Sequence, residues 1–287
     1  MTAPADYLLT LSCPDRKAIV ATVTGFIAEQ DGLIIESQQH QDPVSDRFFM
    51  RIHFALERPA EAAALTHAFR PIAERLAMAF RFTDRAQRPR VLVAVSRFGH
   101  CLYDLLHRWR AGHLAIDIPA VVSNHDDMRS FVEWNGIPYH HLPVSRDDKA
   151  AAEDRIIALV EELDIELVVL ARYMQILSPR LSAYLAGRCI NIHHSFLPSF
   201  KGAKPYHQAY ARGVKIIGAT AHYVTDDLDE GPIIEQETQR VSHGRTAEDM
   251  VRIGEEVECT VLARAVRWHI ERRIMLCGDR TIVFDGF

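Results

Sequence analysis

The chain changes its hydrophobic period several times, and each change marks an element. Residues 7–13, "YLLTLSC", form a short apolar run of strand character. In "DRKAIVATVTGFIAEQDG" the apolar positions then recur every three or four residues and stop at Asp31-Gly32, the pattern of an amphipathic helix with a turn behind it. "LIIESQQH" and "RFFMRIHFAL" flank the turn "QDPVSD" at hairpin spacing. A helix from about Ala60 to Ala79 and a short strand, "FRFT", complete the order βαββαβ. The polar stretch "DRAQRPR", 84 to 90, follows, and the domain boundary is placed there, with a first domain over 1–84 and a second over 90–287.

From Val91 onward the pattern differs. Apolar, β-branched runs at "VLVAVS", 118–123, "ELVVLAR", "CINIHH", "IIGATAHYV" and "PIIEQET" are separated by helical stretches from Cys101, near 127–135, from about Ala150 to Leu163, and over "YHQAYARG". Thr246 and Asp249 have the spacing of a capping box for a long helix to about Arg272. The chain closes on a hairpin, "RIMLCGDRTIVF". The expected fold class is therefore α/β: a ferredoxin-like βαββαβ domain, then a doubly wound, mostly parallel sheet covered on both faces.

Ligands of such sheets sit beyond the carboxyl ends of the strands. Two polar groupings fall at such ends, "NIHHSFLPS" and "VTDDLDEG". Asn191 and His193 are two apart, so on extended backbone their side chains share a face while His194 points away. An amide can donate to an oxyanion, an imidazole can carry a proton, and a nearby aspartate can hold the imidazolium or an attacking water. This is carbonyl chemistry without a metal. The alternative stays open on spacing alone: Asp226, Asp227 and Asp229 as solvated turn residues and Asn191 as a turn or cap residue.

Composition narrows the class of protein. The 287 residues are 48% hydrophobic and 25% charged, which suits a soluble protein of about two domains. A net charge of -5 gives no reason to expect a nucleic acid partner. The N-terminus has no leader pattern and no segment reaches the apolar length of a membrane span, so a cytoplasmic location is expected. Cys13, Cys101, Cys189, Cys259 and Cys277 form no CxxC pair and read as reduced thiols. No cysteine and histidine cluster has metal-ligand spacing.

The run "NIHHSFLPSFKGAKPYHQAYARGVKIIGATAHYVTDDLDEGPIIEQE" resembles the core of the formyltransferases that use 10-formyltetrahydrofolate, whose signature is Asn-x-His, a Leu-Pro loop, His-x-Val-Thr and an aspartate before Gly-Pro. The resemblance covers residues 91–287 in outline. It implies catalytic positions at Asn191, His193 and Asp229, and substrate contacts from His222, Thr225 and Asp226. "RYMQILS", 172 to 178, resembles the segment whose backbone binds the pterin ring, which makes Tyr173, Met174, Gln175, Ile176 and Leu177 substrate-binding candidates. Met174, Ile176 and Leu177 are equally readable as core side chains.

Residues 7–83 resemble an ACT domain, a module that pairs with its own copies and often binds amino acids. That resemblance implies a homo-oligomer and a small amino-acid effector, sought near Asp15 in "SCPDRKAIV". An ACT domain ahead of a formyltransferase-like domain is the arrangement of the formyltetrahydrofolate deformylase family. The implied reaction is hydrolysis of 10-formyltetrahydrofolate to tetrahydrofolate and formate, with water as acceptor and no cofactor beyond the folate substrate. Two competing readings are formyl transfer to an amine such as glycinamide ribonucleotide, and a folate or amino-acid sensor without turnover. The turn "SRFGHC" bears on the first. Glycinamide ribonucleotide formyltransferases grip a phosphate with small residues there, whereas this chain has Phe98 with only Gly99 small, although Ser96 can still meet an anion. His194 stands where those relatives have proline; it orders water or bonds the loop backbone, and the sequence does not choose.

Overall fold

The computed structural model describes residues 5–145, 149–194 and 205–286. Its contacts divide the chain into two compact units, the break falling between Arg88 and Pro89.

The first unit holds β1 (Ala5–Pro14), α1 (Ile19–Glu29), β2 (Gly32–Asp42), β3 (Arg47–Leu56), α2 (Ala62–Leu76) and β4 (Ala79–Asp84). The four strands form one antiparallel sheet in the order β2-β3-β1-β4, the arrangement expected of βαββαβ. Alternate residues of β1 and β3, among them Leu9, Leu11, Ile52 and Phe54, bury against Val23, Ile27 and Phe69 of the two helices. The other face is closed by the end of the chain. Residues Glu271–Gly278 and those from Ile282 onward group with this unit, where Cys277 and Phe284 pack on Phe49. By position in the sequence the hairpin, β12 (Ile274–Cys277) and β13 (Arg280–Val283), belongs to the second domain. Its apolar residues instead fill the sheet face that the two helices leave open.

The second unit is built on a seven-stranded sheet. It comprises β5 (Arg90–Val95), α3 (His100–Arg110), β6 (Asp117–Ser123), α4 (Arg129–Trp134), β7 (Tyr139–His141), α5 (Lys149–Glu162), β8 (Leu167–Leu170), α6 (Pro179–Tyr184), β9 (Cys189–His193), α7 (Pro205–Ala211), β10 (Ile216–Tyr223), β11 (Ile233–Arg240) and α8 (Ala247–Ile270). The strand order is β11-β10-β9-β8-β5-β6-β7. Strands β5 to β9 run parallel, and β10 turns antiparallel to both β9 and β11. Leu92, Ala94, Ala120, Val122, Val168 and Leu170 bury against Ile156, Leu159 and Val160 of α5. Helix α8 starts in a reciprocal capping box: Thr246 N–H donates to Asp249 and Asp249 N–H to the Thr246 hydroxyl, at 3.0 and 3.1 Å.

Two elements were not legible. Strand β7 has three residues, too few to show a period. Helix α6 is too short to show a period, although it carries a local start signal: Ser178 accepts from Leu181 N–H as its N-cap and Pro179 occupies its first position.

Candidate active site

The carboxyl ends of β8 and β9 and the β10–β11 turn surround a cavity of about 650 Å³, within the size range of small-molecule sites. It lies where the order of an α/β sheet places a ligand. All eleven residues put forward from the sequence line it: Asn191, His193 and Asp229, with Tyr173, Met174, Gln175, Ile176, Leu177, His222, Thr225 and Asp226.

The chemical centre is assembled by strand pairing. Asn191 pairs with His222 across β9 and β10, and Asn191 Nδ2 lies 3.2 Å from His222 Nε2. His222 Nδ1 is 2.9 Å from the carbonyl of Tyr223, which can only accept, so Nδ1 carries the hydrogen and Nε2 accepts from the Asn191 amide. One N–H of Asn191 is used in this way and orients the other. His193 Nδ1 lies 3.1 Å from Asp229 Oδ2, and Asp229 Oδ1 is 3.7 Å from His222 Nε2. Burial pushes the Asp229 carboxyl up, but the hydrogen bond from His193, first among the opposing causes, outweighs it and holds the group well below the usual carboxylate range. His193 Nε2 is buried and has no hydrogen-bond partner among the described residues.

Backbone shape delivers Asp229 to this point. It sits in the left-handed region, φ 59°, which aspartate tolerates better than most residues. Two residues on, a Cβ at Gly231 would stand 1.8 Å from the Tyr223 carbonyl oxygen and 3.2 Å from His222 Nδ1. Only glycine allows the returning strand to close so tightly. Of the three candidate aspartates, Asp226 and Asp227 are exposed turn residues and Asp229 alone reaches the imidazoles.

The segment 172–178 is irregular backbone held at defined points. Ser96 N–H donates to the Arg172 carbonyl, and the Ser96 hydroxyl accepts from Met174 N–H while donating to Asn124. Ser96 is thus engaged inside the protein rather than offered to an anion. Downstream, Ser178 N–H and hydroxyl both donate to the buried Glu153. Met174 and Ile176 are 52% and 61% exposed, which rules out the core reading for both. Tyr173 is buried, and Leu177 packs against the core at its edge.

His194 departs from expectation. Strand β9 ends at His193, so alternation ends there too, and the His194 ring lies stacked on His193 with centroids 4.8 Å apart and 21° between planes. Its Nδ1 is 2.9 Å from Arg172 Nη1, a side-chain partner that the sequence reading does not foresee. The remainder of the Leu-Pro loop lies outside the described residues. Arg172, Glu258, Tyr206 and His100 were missed from sequence. For Glu258 a signal existed, since it falls inside the apolar stripe of α8 between Val257 and Val261, where an unpaired charge is costly.

Comparison with known proteins agrees with this geometry. Residues 89–266 match the Formyl transferase family. A formyltetrahydrofolate deformylase of Corynebacterium sp. (strain P-1) is 49% identical over 284 residues, 99% of each chain. The crystal structure of a formyltetrahydrofolate deformylase from Burkholderia mallei is 52% identical, with a TM-score of 0.94 over 98% of this chain and 100% of that one. The crystal structure of glycinamide ribonucleotide transformylase 1 from Symbiobacterium toebii is 31% identical, with a TM-score of 0.63 over 69% of this chain and 95% of that one. Near-complete coverage by the deformylases, set against the partial match to the transformylase, places this chain in the formyltetrahydrofolate deformylase family.

Proposed function

We propose that the chain hydrolyses 10-formyltetrahydrofolate to tetrahydrofolate and formate, with water as the formyl acceptor. The observation that carries this reading is the buried His193 Nε2, without a hydrogen-bond partner among the described residues, on a ring that Asp229 backs through Nδ1 and that lines the cavity together with Asn191. An imidazole anchored by a carboxylate, with its second nitrogen left for the reacting groups, is the arrangement of a general base.

The exposed apolar side chains Met174 and Ile176 flank the place for the pterin, whose amide-like edge suits the backbone of 173–177. As water attacks the formyl carbon, its proton passes to His193 Nε2 and the carbonyl oxygen becomes an oxyanion that the second N–H of Asn191 holds. Such a donor is worth ~3 kcal/mol in the transition state. The C–N10 bond then breaks and N10 takes the proton from His193. Asp229 is a weak base because the hydrogen bond from His193 stabilises its charged form, so it orients His193 and offsets the imidazolium rather than taking the proton itself. Self-association through the first unit accompanies this reading: Leu33 and Ile35 are exposed on the edge strand β2. Among the described residues no helix is long and apolar enough to cross a membrane.

Incubation with 10-formyltetrahydrofolate alone tests the reaction, and formate should appear. With glycinamide ribonucleotide added, mass spectrometry should find it unmodified; a formylated nucleotide as main product would make the chain a transferase.

A further inference from the structure

Behind His194 runs a chain of buried charges that the hydrolytic steps do not use. Glu258 on α8 is 1% exposed. Its carboxylate accepts from the Tyr206 hydroxyl at 2.8 Å, lies 2.8 Å from His100 Nε2 and 3.4 Å from Arg172 Nε. Gly254, one turn earlier, makes room for the Tyr206 ring, because a Cβ there would lie 2.1 Å from it. Arg172 has φ 65° and sends Nη1 to His194 Nδ1 at 2.9 Å. The ligand atoms of His100, Cys101 and Glu258 lie within 4.8 Å of one another, but Arg172 already supplies the cation there.

A guanidinium can only donate, so His194 Nδ1 must accept. That fixes the ring as the neutral tautomer with its hydrogen on Nε2. His193, stacked against it, has the opposite arrangement: its Nδ1 faces a carboxylate, which can only accept. Two stacked imidazoles 4.8 Å apart repel if both are charged, so at most one of them carries a second proton at a time.

We propose that Arg172, held by Glu258, keeps the His194 ring uncharged, so that the one proton the stacked pair takes up goes to His193 beside Asp229. Arg172 and Glu258 are positioning residues in this scheme. The groups facing His194 from each described element are Arg172 after β8, His193 on β9, Asp229 in the β10–β11 turn, Glu258 on α8 and the Tyr206 ring on α7. Burial first, then Arg172 and His193, lower the His194 imidazole to about 4, in agreement with the geometry. The proposal rests on His193 as the proton carrier of the hydrolytic reading.

The test is nitrogen NMR of the imidazoles in the full chain without folate, from pH 8 to pH 5, with His193→Gln and His194→Gln used for assignment. His194 should remain the neutral Nε2–H tautomer throughout. In Arg172→Met, His194 should begin to protonate within that range, and kcat should fall about tenfold with KM little changed, the scale of a one-unit change in proton affinity. Arg172→Lys, which keeps a donor and a charge, should recover part of both. If Arg172→Met does not fold because Glu258 is left without its guanidinium, the double variant Arg172→Met with Glu258→Gln removes both charges together and serves instead. A His194 that titrates near its ordinary value in the unaltered protein, or carries its hydrogen on Nδ1, or titrates identically in the variants, overturns the proposal. Since the spectra need no substrate, this failure is seen separately from a failure to release formate.

Discussion

Each unit buries an arginine against a glutamate, and the two clusters behave differently. In the first unit Arg51, 3% exposed, donates to Glu36 at 2.7 Å and to the Glu271 carbonyl at 3.1 Å. Arg273 joins the same carboxylate at 3.4 Å and donates to Gln38, to the Phe284 carbonyl and to Glu271. This cluster is closed: it ties the terminal hairpin to β2 and β3 of its own unit. In the second unit the cluster of Arg172, Glu258, His100 and Tyr206 opens through His194 onto a stacked histidine whose Nε2 has no partner among the described residues. Buried charge alone therefore says little about function. What separates the two is where the network ends, in one case on its own donors and acceptors and in the other at a cavity.

The largest effects that this contrast predicts lie at the open end. His193→Ala and Asn191→Ala should each lower turnover by about 10²–10⁴-fold, the range for a lost general base or oxyanion donor, while folate binding and the melting temperature stay close to those of the unaltered chain. Both residues act on charge that appears only in the transition state. Formate release with a parallel thermal melt checks this. Near-normal kcat in His193→Ala would detach the cavity from the chemistry.

At the closed end the expectation reverses. Glu36→Ala leaves two guanidiniums facing each other without their shared carboxylate, and should destabilise the fold by roughly 3 kcal/mol. Turnover per folded molecule should stay within about twofold, a change that is small on the free-energy scale. Denaturant unfolding followed beside activity below the transition reads both quantities. A large loss of kcat without loss of stability would mean that this cluster also serves the site.

A smaller effect belongs to the exposed side chains of the cavity. Ile176→Ala and Met174→Ala remove apolar surface that a bound ring system would cover, about 1 kcal/mol each, so KM should rise roughly fivefold with kcat nearly constant. Steady-state kinetics separate the two parameters, and a fall in kcat with unchanged KM would assign these residues to the chemical step instead.

The sequence was informative where a short-range rule governs the outcome. Hydrophobic period gave both sheets and most helices, the Thr246 and Asp249 spacing gave the capping box, and residue type at strand ends, with the family motifs, gave every proposed site residue lining the cavity. What escaped it depends on long-range contact. Nothing local shows that the hairpin at 274–283 folds onto Phe49, or that Arg172 crosses to Glu258, 86 positions away in the chain. His194 was misplaced for a third reason: the alternation rule holds only inside a strand, and His194 is the first residue beyond one.

The finest distinction between the two clusters is a single proton. In the second unit His194 is lowered to about 4, by burial first and then by Arg172 and His193, whereas an unfolded histidine titrates near 6.5. Below about pH 6.5 the unfolded chain therefore binds a proton at this position that the folded chain refuses until about pH 4. The sign follows directly. Stability is fully present above the unfolded value, falls as the pH drops through that window, and levels off once the folded ring is protonated as well. Other groups titrate in the same range, so the contribution is isolated by difference. His194→Gln should unfold with a pH dependence shallower by about one proton between those limits. Urea midpoints measured at half-unit steps from pH 7 to pH 4 give both slopes. A His194→Gln slope equal to that of the unaltered chain would mean that the ring is as easily charged in the folded protein as in the unfolded one, and the open cluster would then differ from the closed one only in its contacts.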